Sequence, residues 1–140
     1  MRIEYTAAKG DCYESAVKSF MENKWTESGL PPERKKWTLV HTMCRGGGPI
    51  EGVRFGHAFL FNRELGLVLD LANSRGGLVP SHRYFKVGDV DPDLYPFHEY
   101  TYPEMVAELV AHETYGPWGK VDEEITKIES ESMEAAGLVK

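Results

Sequence analysis

Gly56-His57-Ala58-Phe59-Leu60-Phe61 is followed, after the polar segment Asn62-Arg63-Glu64-Leu65-Gly66, by Leu67-Val68-Leu69-Asp70-Leu71. Two apolar stretches with so short a separation are typical of an antiparallel β-hairpin. Side chains alternate between the two faces of a strand, so His57 shares a face with the phenylalanines of its stretch, and Asp70 faces away from the leucines of its own. Each strand therefore contributes one ionisable side chain to an apolar hairpin.

The register of this hairpin decides whether His57 and Asp70 meet. If Phe61 pairs with Gly66 around a four-residue loop, His57 lies directly opposite Asp70, with the two Cβ atoms about 5 Å apart. A five-residue loop would pair His57 with Leu71 instead. The four-residue loop predicts a pair in which the carboxylate can orient the imidazole and hold its tautomer.

A carboxylate among leucines and valine is costly to bury without a partner, and His57 is the nearest candidate for Asp70. The pair has two interpretations. It is either a structural contact between two strands, or the base and the orienting acid of a catalytic site. A nucleophile nearby would favour the second interpretation.

A helix is predicted from Asp11 to about Lys24, and Gly29-Leu30-Pro31-Pro32 ends the pattern. Asp11 is a good N-cap, and Glu14 stands three residues later, as in a capping box. The apolar residues recur at one- and four-residue steps, as in an amphipathic helix. They are Cys12, Tyr13, Ala16, Val17, Phe20 and Met21.

Cys12 falls in the first turn of this helix. The unpaired N–H groups and the positive end of the helix dipole favour a thiolate there, and the thiolate is the nucleophilic form of cysteine. The alternative is that Cys12 only fills the first turn of the apolar stripe, as buried free cysteines often do. Together with His57 and Asp70, it completes the nucleophile, base and orienting acid of a thiol hydrolase.

The rest of the chain adds further elements. Alternation from Trp37 to Met43 predicts a strand that runs into a mobile glycine-rich loop. Residues 80–86 indicate a short helix, and Thr101 with Glu104 can cap another one. The order of a helix, a three-stranded meander and a helix predicts an α+β domain.

Residues 1–118 are predicted to form this domain, which Tyr115-Gly116-Pro117-Trp118 closes. Residues 119–140 are acidic, lack aromatic side chains and alternate charges with a few apolar positions. This composition indicates a loosely attached helix or a frayed tail. On this interpretation, ending the chain after Gly119 would cost little stability.

Composition limits the class of protein. A length of 140 residues suffices for one domain with its own core, and a formal charge of −6 argues against a nucleic-acid binder. No apolar run approaches the roughly 20 residues that cross a bilayer, and the N-terminal residues lack the apolar block of a secretion signal. Two cysteines make no disulfide framework. We therefore expect a soluble, cytoplasmic protein that binds neither nucleic acid nor membranes.

The other cysteine and histidines have weaker patterns. Cys44 precedes a glycine run and is interpreted as a strand-end thiol at the edge of a pocket, and His41 as a satisfied core histidine. His82, His98 and His112 lack the spacing of metal ligands, and no C-x₂-C or H-x₃-H pair occurs. The Gly46-Gly47-Gly48 run resembles no phosphate-binding loop. We expect neither a metal nor an organic cofactor; the alternative is a zinc site from both cysteines and two histidines.

Three short motifs resemble the Cys–His–Asp order of the papain-like superfamily, nearest to its transglutaminase-like and NlpC/P60-like branches. They are Gly10-x-Cys12-x-x-x-Ala16, Gly56-His57-Ala58-Phe59 and Val68-Leu69-Asp70. The run from Leu39-Val40-His41 to Tyr115-Gly116-Pro117-Trp118 also resembles small uncharacterised proteins of tailed bacteriophages and prophages. The resemblance implies a papain-like core, in which an N-terminal Cys-bearing helix packs on an antiparallel sheet, followed by C-terminal helices.

The chain departs from the superfamily at two positions. Phe59 stands where many relatives have Trp, and Thr6 stands where papain-type enzymes have the glutamine of the oxyanion hole. The backbone N–H of Cys12 would then supply part of an oxyanion hole.

The residues and the resemblance together predict a thiol hydrolase or acyltransferase that acts on an amide, isopeptide or glutamine carboxamide bond of a protein or peptide. Cys12 would attack the carbonyl, His57 would act as base and then acid, and Asp70 would orient His57. Hydrolysis, deamidation and transglutamination share this acyl-enzyme. The alternative is a non-catalytic phage accessory protein on the same scaffold that binds and inhibits a protein in the cytoplasm of a bacterial host.

Overall fold

A computed structural model describes residues 10–22, 37–45, 53–70, 77–135 and 137. These residues form four helices and five strands. In chain order they are α1 (Gly10–Glu22), β1 (Trp37–Arg45), β2 (Arg54–Asn62), β3 (Leu67–Asp70), β4 (Gly77–Pro80), α2 (Ser81–Gly88), β5 (Phe97–Tyr100), α3 (Tyr102–His112) and α4 (Gly119–Ala135).

The strands form one antiparallel sheet in the order β4-β3-β2-β1-β5. The predicted α+β class is therefore confirmed, and the predicted meander is its centre, β1 to β3. The two outer strands were not predicted, because each has only four residues and β4 carries glycine and proline, which are uncommon in strands. None of the helices in the described ranges is long and apolar enough to cross a membrane.

Two apolar clusters lie on opposite faces of the sheet. One joins α1 and α3 to the sheet through Cys12, Tyr13, Ala16, Val17, Phe20, Trp37, Leu39, Ala58, Leu60, Leu69, Tyr100, Met105 and Trp118. The other joins α2 to the sheet through Val40, Cys44, Phe55, Phe59, Phe61, Val68, Tyr84 and Val90. The sheet is thus a buried layer, and polar side chains within it need partners.

Helix boundaries follow the expected signals in α2 and α3 but not at the start of α1. The side chain of Thr101 accepts the N–H of Glu104, whose carboxylate accepts the N–H of Thr101 in return, so the predicted capping box is confirmed. The short helix predicted at residues 80–86 is α2. Helix α1 includes Gly10, so Asp11 lies inside the helix and is not its N-cap; Lys24 lies outside the described residues.

The predicted register between β2 and β3 is wrong by one residue on each strand. Asn62 pairs with Leu67 and Leu60 with Leu69, so the continued register sets Asp70 opposite Phe59. The loop has the predicted four residues, but it comprises residues 63–66 instead of residues 62–65. The side chain of Asn62 accepts the N–H of Leu65, which fixes the start of the turn.

The C-terminal segment is a packed helix, so the expectation of loose attachment is wrong. Helix α4 packs along β2, and its residues Asp122, Ile125 and Glu129 are buried. The charge pattern was misleading because two of the three buried positions carry carboxylates, and these accept hydrogen bonds from the sheet and its neighbours. A buried acidic residue with a partner has the same sequence signature as an exposed one.

Candidate functional site

The site centres on His57 and Asp70. Nε2 of His57 lies 2.8 Å from Oδ2 of Asp70, and both side chains are buried. The predicted pair thus exists, although the two residues are diagonal and not direct cross-strand neighbours. The contact survives because a shift of one residue on each strand preserves the face to which both side chains point.

Tyr84 is a third member of this cluster. It projects from α2, is fully buried, and its hydroxyl donates to Oδ2 of Asp70 at 2.5 Å. The same hydroxyl oxygen lies 3.0 Å from Nε2 of His57. The sequence does not predict this role, because a lone tyrosine in a short amphipathic helix has the signature of an ordinary core residue.

Cys12 completes the cluster from α1. Its side chain forms a hydrogen bond with the side chain of His57 and is 6% exposed. Because Nε2 of His57 is engaged by Asp70 and Tyr84, Nδ1 is the ring nitrogen that remains for the thiol. The structure therefore brings together the three residues Cys12, His57 and Asp70 that the sequence singled out.

Cys44 is the second thiol near the ring. It lies in β1, one residue before the strand ends at Arg45, and is fully buried. Burial, moderated by the positive charge of His57, raises the pKa of Cys44 to about 12. Cys44 is therefore a protonated core residue at neutral pH, whereas Cys12 is the thiol in direct contact with the imidazole.

The electrostatics of the cluster favour a charged imidazole. Burial alone would lower the pKa of His57, but the charge of Asp70 and the hydrogen bonds to Asp70 and Cys12 together hold it well above its usual value. Burial and the charge of Asp70 also raise the pKa of Tyr84 well above its usual value, so its hydroxyl keeps its proton and donates. The cluster therefore places an imidazole that favours its charged form between the carboxylate of Asp70 and the side chain of Cys12.

Helix α4 holds the strand that carries His57. The backbone N–H of Gly56 donates to Oε2 of Glu129 at 2.6 Å, and that of Arg54 donates to the hydroxyl of Ser132 at 2.8 Å. A Cβ at Gly56 would lie 2.7 Å from Cγ2 of Ile125, so glycine allows this close approach. The residue before His57 is therefore fixed by a helix whose charge pattern predicts a loosely attached helix or a tail.

A second histidine–carboxylate pair lies on the opposite face of the sheet. Nδ1 of His41 is 3.0 and 3.1 Å from the two carboxylate oxygens of Asp122 in α4, and one of these, Oδ2, also accepts the backbone N–H of Trp118. The rings of Tyr13, Tyr100 and Trp118 surround the imidazole, with their centroids 4.7 to 5.0 Å from the centroid of the imidazole ring. His41 is a core histidine, as predicted, but only half satisfied: Nε2 has no hydrogen-bond partner among the described residues.

The remaining histidines are dispersed. His82 and His112 are exposed, and His98 stacks against Tyr100. Within the described ranges, no group of three or more His, Cys, Asp or Glu side chains could hold a metal ion.

Comparison of the chain with models of protein families, with curated proteins and with solved structures gives no match. The site has to be interpreted from its own geometry.

Proposed function

We propose that this protein is a papain-like thiol hydrolase or acyltransferase that acts on an amide, isopeptide or glutamine carboxamide bond of a protein or peptide. One observation carries the proposal: His57 is hydrogen-bonded to the Asp70 carboxylate and also to the Cys12 thiol. This is the arrangement of nucleophile, base and orienting acid that covalent catalysis by a thiol requires.

Each residue then has a defined part in the reaction. In the proposed reaction Cys12 acts as the thiolate, its proton residing on His57. The sulfur attacks the carbonyl carbon to give a tetrahedral oxyanion, which collapses as the carbon–nitrogen bond breaks and the imidazolium of His57 gives its proton to the leaving amine. A water or amine then enters, loses a proton to His57 and releases the acyl group from Cys12. Asp70 holds Nε2, which keeps Nδ1 directed at the thiol and the reacting atoms. These steps require no metal or organic cofactor.

The oxyanion of the tetrahedral intermediate needs donors close to Cys12. In the proposed reaction the backbone N–H of Cys12, in the first turn of α1, would supply part of this oxyanion hole. The positive end of the helix favours the developing negative charge in the same way.

Acylation of Cys12 by p-nitrophenyl acetate tests the proposal. We expect a burst of nitrophenolate and an acetyl group on Cys12 by mass spectrometry, followed by slow deacylation. Cys12→Ser should abolish the burst, and His57→Ala should slow alkylation of Cys12 by iodoacetamide at pH 7 at least about tenfold, because the imidazolium no longer stabilises the thiolate. Cys44→Ser is the matched control and should leave both reactions unchanged.

Glutamine-containing peptides with hydroxylamine then distinguish the reaction types. Ammonia release with hydroxamate formation indicates a glutamine-specific acyltransferase, and release of a peptide fragment indicates a protease. If Cys12 alkylates no faster than Cys44 in the native protein, the thiol is not activated and the proposed function is wrong.

One observation favours the non-catalytic alternative. All three proposed catalytic side chains are more than nine-tenths buried, as in a purely structural cluster. In that case the fold would serve as a scaffold for binding and inhibiting a host protein. The burst experiment separates the two functions, because a scaffold does not form an acyl-enzyme.

A further inference from the structure

We propose that Tyr84 is a positioning residue that weakens the hold of Asp70 on the His57 proton and so keeps His57 able to release it. This inference rests on the proposed function but concerns a residue outside the nucleophile, base and acid. It is carried by the geometry of a single oxygen, Oδ2 of Asp70, which accepts hydrogen bonds from two buried side chains.

Tyr84 acts on His57 through Asp70. Nε2 of the ring carries one hydrogen, and the carboxylate oxygen at 2.8 Å is the shorter and charged acceptor compared with the hydroxyl at 3.0 Å. The hydroxyl of Tyr84 donates to the same carboxylate oxygen, with 2.5 Å between the two oxygen atoms. The two donors therefore bond to the same carboxylate oxygen. Each hydrogen bond neutralises part of the negative charge of that oxygen and so weakens the other hydrogen bond.

The position of Tyr84 is well determined by packing. Its ring is fully buried and lies edge-on to Phe59 with centroids 4.9 Å apart, on the strand that carries His57. Among the described residues, three groups on three elements form hydrogen bonds with His57: Asp70 on β3, Tyr84 on α2 and Cys12 on α1. The thiol of Cys44 on β1 is also near the ring but is protonated at neutral pH. Among these, Tyr84 is the neutral hydrogen-bond donor to Asp70, because burial keeps its phenol protonated.

Loss of the Tyr84 hydroxyl should change the strength with which His57 holds its proton in one definite direction. A general acid must lose its proton to the leaving group, and a carboxylate that accepts fewer hydrogen bonds attracts the imidazolium more strongly. Without the Tyr84 hydroxyl, His57 should hold its proton to higher pH. A residue with only a structural role would leave this titration unchanged.

Titration of the His57 imidazole by ¹⁵N NMR tests the inference in Tyr84→Phe, which removes one oxygen and keeps the ring. We expect the midpoint to rise by about one pH unit. Tyr100→Phe is the matched control, since it removes a buried tyrosine hydroxyl on the other face of the sheet and should leave the His57 midpoint unchanged. An unchanged or lower midpoint in Tyr84→Phe would overturn the inference.

A second variant covers the case in which Tyr84→Phe does not fold. 3-Fluorotyrosine at position 84 is a stronger donor of nearly the same size, so the His57 midpoint should fall below that of the wild type. A midpoint that stays the same or rises with fluorotyrosine would also contradict the inference.

The result is independent of catalysis. Both titrations can be repeated in Cys12→Ser, which has no thiol nucleophile, and the direction of each shift should be the same. If no acyl-enzyme forms but the shifts appear, the proposed function fails and the role of Tyr84 stands. If an acyl-enzyme forms and the shifts are absent, the proposed function stands and the role of Tyr84 is wrong.

Discussion

Asp70 is the residue whose replacement separates catalysis from folding most clearly. Asp70→Asn keeps the size of the side chain and an oxygen that accepts from Tyr84. The amide can hold His57 in the wrong tautomer, so turnover of p-nitrophenyl acetate should fall by about 10²- to 10⁴-fold.

The fold of Asp70→Asn should persist by circular dichroism, and Asp93→Asn, at an exposed turn, is the control that should keep full turnover. Unchanged turnover in Asp70→Asn would remove Asp70 from the site.

Gly116 allows a test of stability on the face of the sheet that carries His41. Its φ is +116°, and a Cβ there would lie 3.1 Å from Cε1 of His41 and 3.2 Å from Cδ1 of Tyr13. Gly116→Ala should therefore lower the free energy of unfolding by about 2–4 kcal/mol, through backbone strain and overpacking combined.

Gly119→Ala is the matched control for Gly116→Ala. Its φ is also positive, at +63°, but no atom of the described residues lies within 4 Å of the added Cβ, so only the backbone penalty of about 1 kcal/mol remains. Equal losses in urea unfolding for the two variants would show that His41 and Tyr13 yield to the added methyl group.

Individual residues were predictable where chemistry restricted them. Asp70 lies among leucines and needs a partner for its buried carboxylate. His57 on the neighbouring strand can reach it in both the predicted and the observed register, because both registers place the two side chains on the same face of the sheet. Tyr84 and Asp122 were not predictable, because their partners are set by the packing of α2 and α4 and not by spacing along the chain. The register also depends on the hydrogen bond from the N–H of Leu65 to the side chain of Asn62, and the alternation of apolar residues in the strands gives no information about this bond.

Among the secondary-structure elements, α4 gives the sharpest test. A chain that ends after Gly119 loses the buried Ile125 and the acceptors of two β2 N–H groups. We expect its melting temperature to drop by more than about 8 °C, since loss of a buried isoleucine alone costs about 2–5 kcal/mol.

A chain that ends after Ala135 is the control, because it retains all of α4. If both truncated chains melt within a few degrees of the full chain in calorimetry, α4 contributes little, as the sequence pattern had indicated.

The elements were predictable in proportion to their length and local signals. Helix α3 has a capping box and β2 has nine residues with an apolar core pattern, and both were found from the sequence. Strand β5 has four residues and pairs with β1 across a large separation in the chain, so tertiary pairing and not local preference creates it.

For the whole molecule, the raised pKa of His57 predicts a pH dependence of stability. The folded pKa is higher than the ordinary value near 6.5, so the stabilising contribution is complete below pH 6.5 and is lost as the pH rises towards the folded value. The difference in unfolding free energy between wild type and His57→Gln should therefore shrink by about 1.4 kcal/mol per pH unit above pH 6.5.

Urea unfolding at pH 6, 7 and 8 measures this slope. His112→Gln, at an exposed position, is the control for removal of one imidazole. A difference between wild type and His57→Gln that stays constant or grows with pH would contradict the assigned direction of the His57 shift.

The hydrogen bonds from β2 to α4 also impose an order on biosynthesis. The acceptors for the N–H groups of Gly56 and Arg54 lie 73 and 78 residues later in the chain. At 5–20 residues per second, a ribosome needs about 4–15 s to make them after β2 has been translated. During this interval the N–H groups of Gly56 and Arg54 lack the acceptors that they have in the folded protein, so chaperones have time to bind the nascent chain.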